Sequence, residues 1–157
     1  PATDRWFCEI ARELSEEYAG VEYEEFIVDD MAHRLVVRPQ DIDVLLLPNL
    51  YGDILSDLGA GTIGGLGLAP SGCYGHEFAY FESAHGTAPD LAGKGTINPT
   101  ATLLSAAMML RHLHLKDAAD RLERALEHVY LSNSDLTPDQ GGEATTERFA
   151  EAVIGAL

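Results

Sequence analysis

One stretch organises the whole 157-residue chain: Glu82-Ser-Ala-His-Gly-Thr-Ala-Pro-Asp-Leu-Ala-Gly-Lys-Gly-Thr-Ile-Asn98-Pro-Thr-Ala101. The short apolar run before it, Phe78–Phe81, predicts a strand, and the apolar-periodic segment after it predicts a helix that Asn98 caps, with Pro99 at its first position. The residues between are therefore a loop that joins a strand to a helix. Loops in such positions often carry sites. Its glycines allow close backbone approach, so we expect a ligand-binding loop.

The residues before this stretch alternate between helix and strand signals. Apolar positions recur first at helical spacing, and a segment rich in β-branched and aromatic residues follows. A later continuous apolar run is typical of a strand buried on both faces of a sheet. The predicted order is a helix over Thr3–Tyr18, a strand over Val21–Val28 that ends at Asp29-Asp30, a helix over Met31–Val37, a strand over Asp43–Leu47, and a helix after Pro48.

The remaining residues are predicted to be a glycine-rich segment followed by helices. The glycines of Gly59–Gly75 predict a flexible crossing, in which Gly64–Gly67 is either a hinge or a turn packed against a neighbouring backbone. Amphipathic helices are expected over Asp117–Tyr130 and Ala144–Leu157, joined by the polar connection Asp135–Gly142. Strand and helix signals together predict an α/β fold.

Asp53 and Asp57 lie four residues apart on the helix predicted after Pro48, so they share one face. Like charges at this spacing destabilise an isolated helix by roughly 0.2 to 0.5 kcal/mol. The pair is either a solvated acidic face or a pair neutralised by a cation, and Mg2+ binds carboxylate oxygens while it keeps several waters. The spacing alone is compatible with both.

Acidic residues dominate the charge of the chain, because 26 Asp and Glu oppose 10 Lys and Arg and give a net charge of −16. Such a surface repels phosphate backbones, so we expect no nucleic-acid partner. The sequence contains no apolar run long enough to span a membrane, and its acidic first residues are unlike a targeting peptide. We therefore expect no membrane partner and a location in the cytoplasm or an organelle matrix.

Three motifs resemble the β-decarboxylating dehydrogenases of isocitrate and 3-isopropylmalate. They are Asn49-Leu-Tyr-Gly-Asp-Ile-Leu-Ser-Asp-Leu58, Gly64-Gly-Leu-Gly-Leu-Ala-Pro-Ser71, and Phe81-Glu-Ser-Ala-His-Gly-Thr-Ala-Pro-Asp-Leu-Ala-Gly-Lys94 followed by Asn98-Pro-Thr-Ala101. The resemblance runs from about Thr3 to Leu157. The first and third motifs, with Met108-Met-Leu-Arg-His112, are more similar to NAD-dependent isocitrate dehydrogenase than to the isopropylmalate enzyme. Homoisocitrate and tartrate dehydrogenases stay open as relatives.

The resemblance implies a metal site and a catalytic base. Asp53 and Asp57 match the family's Mg2+- or Mn2+-binding helix. Asp29 matches a third metal-binding carboxylate, contributed by the other subunit of a homodimer. The cation would stabilise negative charge on the substrate as a Lewis acid. Asp29 is also the candidate base for the proton of the substrate hydroxyl.

The resemblance also implies a dinucleotide site in the loop. Glu82 matches a contact near the nicotinamide ribose of NAD, and Asp90 matches the carboxylate that accepts hydrogen bonds from the adenosine ribose. Asn98 matches an adenine contact, although it could instead only cap its helix. The full set of implied cofactor-binding residues is Glu82, His85, Gly86, Thr87, Ala88, Asp90, Leu91 and Asn98.

The family resembles this chain over its C-terminal half, so the implied fold is part of a mixed sheet flanked by helices. Residues 1–63 match part of the smaller, dimer-forming and metal-binding domain, and residues 64–157 match part of the larger, dinucleotide-binding domain. The implied activity is oxidative decarboxylation of a 2-hydroxy di- or tricarboxylic acid, such as isocitrate in the tricarboxylic acid cycle. The family's substrate-binding arginines and its catalytic tyrosine and lysine belong to the missing N-terminal half. A catalytically incomplete dinucleotide-binding or dimerisation module is the alternative.

The net charge of −16 predicts a dependence of stability on salt. The charge serves either general solubility or adaptation to a salty cytoplasm. In the second case the melting temperature should rise steeply with KCl, because the Debye length falls from about 10 Å at 0.1 M to about 3 Å at 1 M. Thermal unfolding at these two concentrations measures the effect. An unchanged melting temperature would leave only the solubility role.

Overall fold

The computed structural model describes residues 2–157 and divides them into two compact units, which meet in sequence between Thr62 and Ile63. This division lies next to the predicted boundary between residues 63 and 64, and the roles predicted for the two segments stay predictions. The elements are α1 (Ala2–Ser15), α2 (Val28–Val37), α3 (Asn49–Thr62), β1 (Pro70–Tyr74), β2 (Ala79–Ser83), α4 (Thr100–His112), α5 (Lys116–Ser132) and α6 (Thr146–Ala156).

The first unit contains α1, α2 and α3 and has a small core. Helix α2 packs against α3, and the buried apolar side chains are Met31, Leu55 and Ala60. Helix α1 forms where it was predicted, but none of its residues is buried. The hydroxyl of Tyr51 on α3 donates to Oδ2 of Asp4 on α1 (3.2 Å). Much of the apolar surface of this unit is therefore exposed.

The strand predicted over Val21–Val28 is wrong. Residues 21–27 form no ladder, and Val28 instead begins α2 after an extended Ile27. Asp29 and Asp30 therefore occupy the first turn of a helix rather than the exit of a strand. Negative charge is favourable in that first turn, because the helix dipole places partial positive charge there.

The strand predicted over Asp43–Leu47 is also wrong, although the segment keeps an alternating pattern of exposure. Leu45 and Leu47 line an open apolar cavity of about 430 Å³ with residues of α2 and α3. Val44 and Leu46 are 83% and 66% exposed. A strand needs a neighbour for its backbone hydrogen bonds, and residues 2–62 place none beside this segment.

The second unit consists of an antiparallel hairpin and three helices. Helix α4 packs against both strands and against α5, and α5 packs against α6. The predicted helices after Asn98, over Asp117–Tyr130 and over Ala144–Leu157, are confirmed as α4, α5 and α6 with small shifts of their ends. The core residues are Ala125, Leu126, Val129, Leu136, Phe149 and Val153, and Phe149 is completely buried.

Part of the glycine-rich crossing is more regular than predicted. Helix α3 continues to Thr62, and Pro70–Tyr74 forms β1, which pairs with β2 from Pro70 opposite Ser83 to Tyr74 opposite Ala79. The ring of Phe81 packs over Gly72, where an added Cβ would lie 3.0 Å from the ring. Gly64 and Gly65, with φ of 114° and 123°, have a conformation that suits glycine. Among residues 2–157, no helix is both long and apolar enough to cross a membrane.

The connection between α5 and α6 contains a tight turn that closes at Gly142. The N–H of Gly142 donates to the carbonyl of Thr137 (3.1 Å), and the N–H of Ala144 donates to the carbonyl of Leu136 (2.9 Å). A Cβ added at Gly142 would overlap the carbonyl group of Leu136. The backbone path of this connection therefore requires glycine at this position.

Gly142→Ala should lower the free energy of unfolding by about 1 to 3 kcal/mol, because the new methyl group must push the Leu136 carbonyl aside. Urea unfolding measures the change. Gly155→Ala is the matched control: nothing lies within 4 Å of an added Cβ in that helical position, so the same exchange should be neutral or stabilise by up to about 1 kcal/mol. Equal stabilities for the Gly142 variant and the unmodified chain would contradict the turn geometry.

Candidate dinucleotide loop and acidic helix

The predicted ligand loop leaves β2 from a firmly held base. Ser105 on α4 is 2% exposed, and its hydroxyl donates to the carbonyl of Glu82 (2.6 Å). The same hydroxyl accepts from the N–H of Ser71 on β1 (3.2 Å). The N–H of Ala84 donates to the carbonyl of Ala69 (3.1 Å). Both strands are thereby fixed at the start of the loop, while the side chain of Glu82 is exposed.

The body of the loop is exposed and partly strained. Ala88 has φ of 40° and ψ of 62°, a left-handed conformation that residues with a Cβ seldom adopt. A short 3-10 turn follows over Pro89–Leu91. Strained backbone of this kind is concentrated at ligand sites. Nδ1 of His85 lies 2.9 Å from the carbonyl oxygen of Gly86, so a proton on that nitrogen would order the loop from within.

These residues fit a dinucleotide. No atom lies within 4 Å of a Cβ added at Gly86, Gly93 or Gly95, so the backbone there is open to a ligand. The carboxylate of Asp90 is exposed and makes no hydrogen bond to any residue in 2–157. Such a carboxylate can accept hydrogen bonds from ribose hydroxyls. Thr87 and Leu91 are also exposed beside it.

Asn98 closes the loop and is almost completely buried, at 3% exposed. Its Oδ1 accepts from the N–H of Thr100 (3.0 Å), so the Asn98 side chain caps the start of α4. The helix begins at Thr100 with Pro99 at the N-cap position, one residue later than predicted. Its Nδ2 donates to the hydroxyl of Tyr130 (3.1 Å) and to Oδ2 of Asp139 (3.0 Å). The side-chain amide is therefore fully used inside the protein. An adenine contact at Asn98 would have to come from its backbone.

Asp139 accepts from three side chains. Thr137 donates to its Oδ1 (2.6 Å), while Asn98 and Gln140 donate to its Oδ2 (3.0 and 3.2 Å). Burial raises the pKa of Asp139, but the hydrogen bonds from Thr137, Asn98 and Gln140 together outweigh it and lower the pKa below its ordinary value. Asp139 is therefore ionised at neutral pH.

The three predicted metal-binding aspartates lie on two helices of the first unit. Asp53 and Asp57 are exposed on α3, and neither side chain makes a hydrogen bond within the described residues. Asp29 is exposed in the first turn of α2, and its Oδ1 accepts from the N–H of Asp30 (2.9 Å). No three acidic, histidine or cysteine side chains among residues 2–157 form a group that could hold a metal. One chain therefore offers Asp53 and Asp57 as a partial oxygen donor set, and the metal site stays a prediction.

The family model described as isocitrate/isopropylmalate dehydrogenase matches residues 1–153. The chain belongs to this family. It is 53% identical to the isocitrate/homoisocitrate dehydrogenase of Thermus thermophilus over 157 residues, which is 100% of this chain and 47% of that protein. It is 50% identical to the 3-isopropylmalate/3-methylmalate dehydrogenase of Methanocaldococcus jannaschii, over 96% of this chain and 45% of that protein.

The similar proteins in this dehydrogenase family also include an NAD-dependent enzyme and a protein of known crystal structure. Subunit 2 of the mitochondrial NAD isocitrate dehydrogenase of Schizosaccharomyces pombe is 47% identical, over 98% of this chain and 41% of that protein. The crystal structure of isocitrate dehydrogenase from Methylococcus capsulatus matches with a TM-score of 0.90 and 46% identity, over 96% of this chain and 45% of that chain. The predicted family and α/β fold are confirmed. The chain spans less than half the length of these relatives.

Sequence reasoning missed the residues that support the dehydrogenase-family loop. Ser105 was one hydroxyl within an apolar helix, and Asp139 was one acid within a polar turn. Their partners lie far along the chain, since Ser105 meets Glu82 and Asp139 meets Asn98. Local patterns carry no information on long-range hydrogen bonds. The only available signal was that Ser105 is a polar residue in a mostly apolar helix.

Proposed function

We propose that this chain is the dinucleotide- and metal-binding C-terminal segment of an NAD-dependent dehydrogenase that oxidatively decarboxylates isocitrate to 2-oxoglutarate. The observation that carries the proposal is the exposed loop between β2 and α4, with its open glycine backbone and the unpaired carboxylate of Asp90. The identity to isocitrate dehydrogenases, including a mitochondrial NAD enzyme, supports it.

In the proposed reaction the loop and the acidic helix have separate tasks. Asp90 accepts hydrogen bonds from the adenosine ribose, and the backbone of Gly86–Ala88 binds the adenosine half of NAD. Asp53 and Asp57 would hold Mg2+ or Mn2+, which would supply Lewis-acid stabilisation of negative charge on the substrate. Asp29 from a second subunit would add a third carboxylate and would accept the proton of the substrate hydroxyl.

Two other functions have specific support. The 50% identity to the 3-isopropylmalate/3-methylmalate dehydrogenase supports a substrate with an apolar branch, and homoisocitrate or tartrate falls within the same reaction type. The incomplete metal donor set within residues 2–157 supports a catalytically incomplete binding or dimerisation module. Isocitrate- and metal-dependent NADH formation by a protein that contains this chain together with a family N-terminal half would decide for the enzyme.

We also propose that two copies of the chain associate. Trp6, Ile10 and Leu14 form an exposed apolar stripe on α1, and Leu50 and Ile54 are exposed on α3. Contiguous apolar surface of this kind is typical of an interface, and a homodimer would supply Asp29 from the partner. Light scattering at tens of micromolar should show a dimer or larger species, and a monomer would contradict this proposal.

The 157-residue chain alone should not oxidise isocitrate at a measurable rate. The residues to which the family resemblance assigns substrate-carboxylate binding and proton donation are not among its 157 residues. Absorbance at the NADH wavelength, with isocitrate and Mg2+ present, measures the rate. NADH formation that requires both isocitrate and metal would show that the assignment of roles within this chain is wrong.

The chain should bind NAD+ more tightly than NADP+. A 2′-phosphate beside Asp90 would bring like charges to within a few ångströms, which costs on the order of 1 to 4 kcal/mol at effective dielectric constants of 80 to 20. This cost corresponds to roughly fivefold to nearly a thousandfold in affinity. Asp90→Lys should narrow or reverse the preference, whereas Glu127→Lys, the same charge change at an exposed site on α5, should not. Calorimetric dissociation constants that favour NADP+ in the unmodified protein would show that the role of Asp90 is wrong.

A further inference from the structure

The point where the loop rejoins α4 is held by residues that come much later in the chain. The N–H of Thr146, at the start of α6, donates to the carbonyl of Gly95 (2.8 Å), and its hydroxyl donates to the carbonyl of Ile97. Thr145 caps the same helix by accepting from the N–H of Arg148 (3.1 Å). The first turn of α6 is thus attached to the last residues of the loop.

Asp139 contacts Asn98, which follows Ile97 at the exit of the loop, and through Asn98 it affects α4. Oδ2 of Asp139 accepts a hydrogen bond from Nδ2 of Asn98, and Oδ1 of Asn98 accepts one from the N–H of Thr100. Hydrogen bonds that share one amide strengthen one another, because each polarises the group. The carboxylate therefore strengthens the cap of α4 without touching the helix itself. An added Cβ at Gly67 would lie 3.5 Å from both Asn98 and Asp139, so the glycine-rich segment packs closely against this pair.

The body of the loop makes few backbone hydrogen bonds. Its backbone hydrogen bonds between Thr87 and Lys94 are local ones, from Leu91 to Ala88, Ala92 to Pro89 and Lys94 to Leu91. Exposed backbone with only local contacts opens easily. The geometry of the loop is therefore set at its two ends, by Ser105 at the entry and by Asp139 and Thr146 at the exit.

We propose that Asp139 is a positioning residue of the dinucleotide loop: as a hydrogen-bond acceptor for Asn98 it fixes the exit of the loop in the conformation that binds NAD. The NAD part rests on the proposed function. Asp139 does not touch the ligand in this assignment, and it acts through Asn98. Preorganisation of a loop raises affinity because less conformational entropy is lost on binding.

The test compares Asp139→Ala with Asp139→Asn in the full chain. Asparagine keeps an acceptor oxygen for Asn98 and Gln140 and can donate to the Thr137 hydroxyl, whereas alanine leaves the buried Asn98 amide without that acceptor. Glu143→Ala is the matched control, because it removes an exposed carboxylate from the same connection. Two quantities are measured: amide hydrogen exchange without ligand, and the dissociation constant of NAD+.

In Asp139→Ala, exchange of the Thr100 and Thr146 amides, which donate to Oδ1 of Asn98 and to the carbonyl of Gly95, should accelerate about tenfold. NAD+ should bind about tenfold more weakly, as expected for loss of one charge-assisted hydrogen bond. Exchange of the Phe149 amide in the core of α6 should not change. Asp139→Asn should stay within about threefold of the unmodified protein in both measurements, and Glu143→Ala should match it.

Three results would overturn the positioning role. They are unchanged exchange of the Thr100 and Thr146 amides in Asp139→Ala, equal acceleration at Phe149, which would indicate general destabilisation, and failure of Asp139→Asn to restore the loop. If exchange changes as expected but the unmodified protein does not bind NAD+, the anchoring of the loop is supported and the proposed cofactor role is the part that fails.

Discussion

The side-chain amide of Asn98 is the interaction on which the second unit depends. It is buried, its oxygen caps α4, and its two protons go to Tyr130 on α5 and to Asp139 in the connection to α6. A buried amide left without partners would cost about 1 to 3 kcal/mol, so these elements can form only in a mutually consistent arrangement. One residue thereby couples two helices and the connection before α6 to the end of an exposed loop.

The two units distribute stability differently. The second unit encloses Phe149 and its neighbours in a continuous core, and its loop is exposed above a rigid hairpin and helix. The first unit buries few side chains and exposes apolar stripes on α1 and α3. Val44 and Leu46 are likewise apolar and exposed, in a chain that spans less than half the length of its relatives.

Local chemistry sufficed for most helices and for the loop. Helical periodicity located α1, α4, α5 and α6, and the Asn98-Pro99 pair located the start of α4. The glycines and polar residues located the loop between β2 and α4, and its role as a ligand site stays a prediction. Periodicity failed at Val21–Val28 and Asp43–Leu47, because β-branched residues show a preference for strands but cannot supply the neighbouring strand that a ladder requires. Strand β1 was not predicted because its glycine indicated a flexible segment. In the structure Gly72 lies within β1 and leaves room for the ring of Phe81.

The sequence by itself determined the family, the α/β class and the helices, because each of these depends on nearest neighbours and short motifs, while the ligand-binding residues stay a prediction. The tertiary structure alone decided that the Asn98 side chain is consumed inside the protein, that Ser105 holds the base of the loop and that Asp139 and Thr146 hold its exit. Ser105 and Glu82 are 23 positions apart, and Asn98 and Asp139 are 41 positions apart. Hydrogen bonds over such sequence separations leave no local pattern. Their partners are set by how α4, α5 and α6 pack, and only the folded chain specifies that packing.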